Sequence, residues 1–107
     1  MIVNTTRIHV RPEKRMELFQ TILPLLEPIS KEKGCVDYRC YVDLTDENSA
    51  LLISEWEARA DWDNHLKSRD FAILCGALSV LANFSDIDFR LLRNDCGALE
   101  FPNLETF

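Results

Sequence analysis

The stretch EWEARADWDNHLKSRDF, residues 55–71, decides how the chain folds. Its first residues end an apolar run, Ala50 to Trp56, short and rich enough in branched side chains to be a strand. Arg59 to Lys67 then reads as a short helix, with Trp62 and Leu66 four residues apart and His65 beside them. Ser68 is placed to cap a second helix, in which Phe71, Leu74, Cys75, Leu78 and Leu81 recur at the spacing of a core-facing stripe. A strand that runs straight into two consecutive helices, with a histidine among aromatic side chains at the junction, fixes one half of an α+β domain.

Working outward, Asn83 and Phe84 end the second helix, and Ser85 to Arg93 alternates with Ile87, Phe89 and Leu91 on one face. Upstream, the polar cluster Thr45-Asp46-Glu47-Asn48-Ser49 joins strand Ala50–Trp56 to a strand over Cys35 to Asp43, and the two form a hairpin. Val36, Tyr38, Cys40 and Val42 are assigned to one face of that strand. Gly34 follows Lys31-Glu32-Lys33 as a helix end, its lysines favourable beside the negative end of the helix dipole. The helix before it begins at Pro12-Glu13, and Met16, Phe19, Leu23, Leu26 and Ile29 are read as its buried stripe. Pro24 and Pro28 lie inside it, and an interior proline costs about 3 kcal/mol, so a kink or break is expected between Gln20 and Pro24. Ile2 to Val10 opens the chain as a strand with Asn4, Thr6, Ile8 and Val10 on one face and Val3, Thr5, Arg7 and His9 on the other.

The order is β-α-β-β-α-α-β, which is the ferredoxin-like α+β arrangement of a four-stranded antiparallel sheet with helices on one face. The helices leave the other face open, yet Tyr41, Leu51, Ile53 and Leu92 make it apolar. A second copy packed sheet against sheet is the economical cover, because a two-fold interface lets one patch complement itself. His9 and Arg7 belong to that face, where interfacial ion pairing is the expected role. One domain is assigned to residues 1–94, and the acidic segment 95–107, with Leu99, Phe101, Leu104 and Phe107, is expected to dock on its own or the partner subunit.

Composition sets limits on function. The 107 residues carry 18 acidic against 12 basic side chains with no basic run, which argues against nucleic acid as a partner. No apolar stretch nears the roughly 20 residues that span a bilayer, and the first residues do not resemble a secretory signal, so no membrane partner and a cytoplasmic location are expected. Cys35, Cys40, Cys75 and Cys96 show neither zinc spacing nor disulfide-scaffold density, and are read as reduced thiols. A metal site combining His65 with Glu55 or Glu57 is disfavoured, since no second histidine stands at ligand spacing.

Gly34-Cys35 followed by Tyr38, Glu55-Trp56-Glu57, His65-Leu66 and Ser68-x-x-Phe71 together resemble the antibiotic biosynthesis monooxygenase domain and its quinol monooxygenase relatives, over roughly Met1 to Arg93. The resemblance implies a dimeric α+β barrel and oxidation of a small aromatic, phenolic or quinol substrate by dioxygen with no cofactor. It implies a pocket between sheet and helices, with His65 as the catalytic base and Asn4, Thr6, Tyr38, Trp56, Trp62, Phe71, Leu74 and Cys75 around the substrate. Many relatives carry a second histidine where this chain has Asp70, so His65 stands without an identified partner. The haem-degrading branch has tryptophan in place of His65 and an iron-binding histidine near Leu74, which leucine cannot replace.

Other readings remain open on these residues. His65 can instead bond a backbone carbonyl at the helix end, with Trp56 an ordinary core residue. The protein can be a noncatalytic dimeric module binding an apolar metabolite, or Trp62 and Phe71 can fill the pocket altogether.

Overall fold

In a computed structural model, residues 1–82 and 87–93 are described; Asn83, Phe84, Cys96 and the segment 95–107 lie outside them. The strands are β1 (Ile2–His9), β2 (Cys35–Val42), β3 (Ser49–Trp56) and β4 (Ile87–Arg93), and the helices α1 (Arg15–Ser30), α2 (Arg59–Leu66) and α3 (Arg69–Leu81). All neighbouring strands pair antiparallel in the order β2-β3-β1-β4, so β1 and β3 are central. This is the expected ferredoxin-like α+β fold.

Register places every inward residue. Ile2, Asn4, Thr6 and Ile8 of β1 pair with Trp56, Ser54, Leu52 and Ala50 of β3, and all eight are buried beneath the helices. Strict alternation therefore carries two polar side chains, Asn4 and Thr6, into the core layer. On the outer face Val3 sits opposite Leu92, and Leu51 opposite Tyr41. Tyr41 and Leu92 are each about half exposed.

Three expectations need correction. The buried stripe of α1 is Leu18, Ile22, Leu25 and Ile29, while Met16 and Leu23 face solvent, Leu23 at 70% exposure. Two apolar stripes fit the helical period in this segment, and Leu26 and Phe19 lie between them; periodicity alone does not say which stripe meets the sheet. The helix also runs uninterrupted through Pro24 and Pro28. Both prolines are on the solvent side, where water can satisfy the carbonyls that lose an amide partner. In β2 a bulge between Cys35 and Asp37 inserts Val36 as an unpaired residue. The inward set becomes Cys35, Tyr38 and Cys40, and Val36 is turned out to 49% exposure.

The α3 cap forms as its sequence suggests, with the Ser68 hydroxyl accepting from the Phe71 amide at 3.2 Å. Helix α3 buries Leu74, Leu78 and Leu81 and lies beside α1. No helix among the described residues is long and apolar enough to cross a membrane.

Candidate active site

Between the sheet and α3 lies a cavity of about 290 Å³, lined by Asn4, Thr6, Tyr38, His65, Phe71, Leu74, Cys75, Leu78, Ile87 and Phe89. Its walls are mostly apolar. It sits at the small end of the roughly 300–1,000 Å³ typical of small-molecule sites, sized for one or two fused rings. The reading in which Trp62 and Phe71 fill this space is therefore overturned.

Seven of the nine residues named from sequence line the cavity together. Trp56 and Trp62 do not. Both are buried, and they form the wall behind His65. The Trp56 ring stacks on the imidazole at 4.6 Å between centroids with 26° between planes, and Trp62 lies tilted at 5.6 Å. Phe71 and Tyr38 meet the imidazole edge-on at 5.1 and 6.0 Å. Four aromatic rings thus fix its orientation. The Trp56 indole N–H donates to Ser54 Oγ at 3.0 Å, which satisfies its one polar atom in the core.

The helices hold His65 there for local reasons. Trp62 and His65 are three apart on α2, so they share its buried face, while Leu66 is left partly exposed. The start of α2 is tied to the turn after α1: the Glu57 amide donates to the Gly34 carbonyl at 2.8 Å, and Gly34 packs against the Asp61 side chain with φ +79°. A Cβ at Gly34 would collide with Asp61 and would also strain that backbone conformation. Close approach of these two turns brings Glu32 onto His65.

The Glu32 carboxylate oxygen Oε1 lies 3.0 Å from His65 Nδ1. The imidazole bond therefore goes to a carboxylate and not to the backbone carbonyl expected in the alternative reading; the His65 carbonyl itself accepts from the Ser68 amide. Glu32 is the residue sequence reasoning missed. It stood between Lys31 and Lys33 and was read only as part of a charged helix end. The one hint was its place two residues before Gly34-Cys35, a motif that already pointed to the same pocket as His65. Leu78, Ile87 and Phe89 were also missed as lining residues, although the strand and helix faces they occupy were assigned correctly.

The remaining polar groups form a short chain across the sheet. Thr6 Oγ1 donates to Asn4 Oδ1 at 3.3 Å, and Asn4 Nδ2 donates to the Arg90 carbonyl at 3.1 Å. One Asn4 N–H and the lone pairs of Thr6 Oγ1 remain for a ligand. The Tyr38 hydroxyl has no protein partner among the described residues. Burial, reinforced by nearby thiols and Glu32, pushes the Tyr38 phenol well above its ordinary range. Burial first, then the Glu32 and Asp37 charges, raises the Cys35 thiol to about 11. Cys40 and Cys75 are raised by burial as well. These groups stay neutral at physiological pH. Cys35, Cys40 and Cys75 are free thiols.

His9 lies away from this site, with its Nδ1 3.8 Å from Asp46 Oδ2 in the β2–β3 loop.

A ferredoxin-like sheet with an apolar, histidine-bearing cavity under its helices defines a small-molecule-binding α+β domain. Residues 1–73 match the family described as antibiotic biosynthesis monooxygenase, and the chain belongs to that family. An uncharacterized protein of Synechocystis is 36% identical over 70 residues, 65% of this chain and 48% of that protein, so the chain spans about half the length of that curated relative. Among solved structures, a conserved protein of Methanosarcina mazei superposes with TM-score 0.81 at 26% identity, covering 88% of this chain and 92% of that one. SnoaB, a cofactor-independent oxygenase of Streptomyces nogalater, superposes with TM-score 0.75 at 16% identity over 88% and 92% of the two chains, a likeness of fold alone.

Proposed function

We propose that the protein is a cofactor-independent monooxygenase that oxidises a small aromatic phenol or quinol with dioxygen, working as a cytoplasmic homodimer. The observation that carries this reading is the His65 ring, stacked on Trp56 and backed by the tilted Trp62, bonded to Glu32 through Nδ1, and lining an apolar cavity sized for a flat ring.

Its Nε2 has no protein partner among the described residues, and His65 lines the cavity. That nitrogen is the base. It takes the substrate O–H proton, and the resulting phenolate is electron-rich enough to pass an electron to dioxygen. With no other reductant, all four electrons taken up by dioxygen come from the substrate, one oxygen atom entering product and the other leaving as water. The neutral thiols and phenol around the cavity favour an uncharged aromatic guest, and the apolar wall excludes water from the reactive intermediate. Asn4 and Thr6 orient a substrate oxygen, and Tyr38 has a hydroxyl free to bond a second one.

The outer face of the sheet supports the homodimer. Tyr41, Leu51, Ile53, Val3 and Leu92 form an apolar surface that the protomer's own helices do not cover.

The test is oxygen uptake on a panel of one- and two-ring quinols and naphthols, with ¹⁸O₂ tracing the oxygen into product. Uptake with one label per product supports the reading. Thermal stabilisation by panel members without uptake supports instead a noncatalytic dimeric module that binds an apolar metabolite.

A further inference from the structure

We propose that Glu32 is a positioning residue for His65, holding the imidazole as the Nδ1–H tautomer so that the Nε2 lone pair is presented to the cavity. The inference rests on the reading of His65 as the base. It adds the residue that keeps that base in its working form.

An ionised carboxylate only accepts hydrogen bonds. At 3.0 Å from Oε1, Nδ1 therefore carries the hydrogen. The reverse tautomer would set two lone pairs against each other inside a region where His65 is 1% and Glu32 21% exposed by side chain. Because a neutral imidazole has one N–H, fixing it at Nδ1 leaves Nε2 as the acceptor.

The backbone that carries the carboxylate is tied on both sides. The Glu32 amide donates to the Ile29 carbonyl and its carbonyl accepts from the Cys35 amide, each at 3.0 Å. Its second oxygen, Oε2, is buried with no hydrogen-bond partner among the described residues. A carboxylate so placed, with one oxygen unsatisfied, is compensated chiefly through the imidazole. When Nε2 takes the substrate proton the ring becomes a cation beside that carboxylate, and the Nδ1 bond becomes a charge-assisted one. A surface carboxylate would be screened by water and give little of this. The same bond, and with it the same tautomer, would exist if Glu32 merely stapled the α1–β2 turn to α2; the split between kcat and KM separates the two roles.

The experiment is ¹⁵N NMR of the imidazole rings in the full chain. The chain has two histidines, so His9→Gln assigns the His65 signals by difference. In the unmodified protein at a pH where the ring is neutral, the expected pattern is a protonated Nδ1 and an unprotonated Nε2. Glu32→Gln, whose amide can either accept or donate, should give a mixture of tautomers, and Glu32→Leu should move the ring to Nε2–H. Backbone amide spectra check that each variant is folded, and Glu32→Gln, nearly the same size as the native residue, decides the matter if the leucine variant does not fold.

With a substrate from the uptake panel, Glu32→Gln should lower kcat about tenfold or more and leave KM within about twofold, since Glu32 does not line the cavity. An Nε2–H ring in the unmodified protein, or an unchanged tautomer in Glu32→Gln, overturns the proposal. Absence of oxygen uptake by the unmodified protein would instead defeat the oxygenase reading, with the tautomer still reporting on Glu32.

Discussion

Trp56→Phe is the most informative perturbation of the wall behind the site. The indole is fully buried, donates to Ser54 Oγ at 3.0 Å and stacks on His65. Phenylalanine keeps the stacking surface but is smaller by roughly 40 Å³, which at about 24 cal/mol per Å³ of residual cavity costs ~1 kcal/mol. Loss of the indole bond removes about another 1 kcal/mol and leaves the buried Ser54 hydroxyl seeking a partner. The expected total is about 2–3 kcal/mol. Ser54→Ala alone orphans the indole N–H and should cost about 1–3 kcal/mol. In the double variant neither polar group is left unpaired, so its cost should fall short of the sum by about 1 kcal/mol. Urea unfolding at one fixed protein concentration measures all four stabilities, with unchanged m-values required for the comparison. Additive costs would refute the assignment of Trp56 as a hydrogen-bonded structural wall, and with it the account of how the His65 ring is held.

Three further outcomes are expected. Ile22→Ala, in the buried stripe of α1, should lose about 2–4 kcal/mol, while Leu23→Ala, at 70% exposure, should change stability by no more than about 0.5 kcal/mol; equal losses would contradict the helix rotation described above. Thermal stability should fall as pH rises from 9 towards 11: the folded-state values of Cys35, Cys40, Cys75 and Tyr38 all lie above their ordinary ones, so their contribution is complete below the unfolded values and is lost as pH climbs through the folded ones, about 11 for Cys35. A melting temperature constant across that window would contradict the burial of Tyr38 and the partial burial of Cys35 and Cys40. Light scattering should give a dimeric mass at micromolar concentration and a monomeric one for Leu92→Asp; a monomeric native protein would remove the sheet-face interface.

How much of this was legible in the residues depended on whether a pattern had one solution or two. In β1, strict alternation from Ile2 to Val10 admits a single inward set, and Asn4 and Thr6 were placed correctly beneath the helices. Ser68 likewise announced the α3 cap three residues before the amide it accepts from. Helix α1 offered two apolar stripes, and the choice between them is made by tertiary packing against the sheet and α3, which no local period encodes. Val36 was misplaced because a bulge changes the parity of a strand by one residue without leaving a necessary mark in composition. Glu32 was invisible for another reason. It meets His65 across 33 residues of chain, and only the tight contact of Gly34 with Asp61 and Glu57 makes the two neighbours. Local sequence therefore reported the aromatic setting of His65 but not the charge that completes it.

The central claim is that His65 accepts a proton from a phenolic substrate at the start of its oxidation. Its most direct test is the steady-state oxygen-uptake rate of the native protein against His65→Gln, both verified as folded, with the best substrate of the quinol and naphthol panel. The glutamine keeps a polar contact within reach of Glu32 and has no basic nitrogen. The account predicts a loss in kcat of about 100-fold or more, the usual worth of a positioned general base. Equal rates in the two proteins would contradict it.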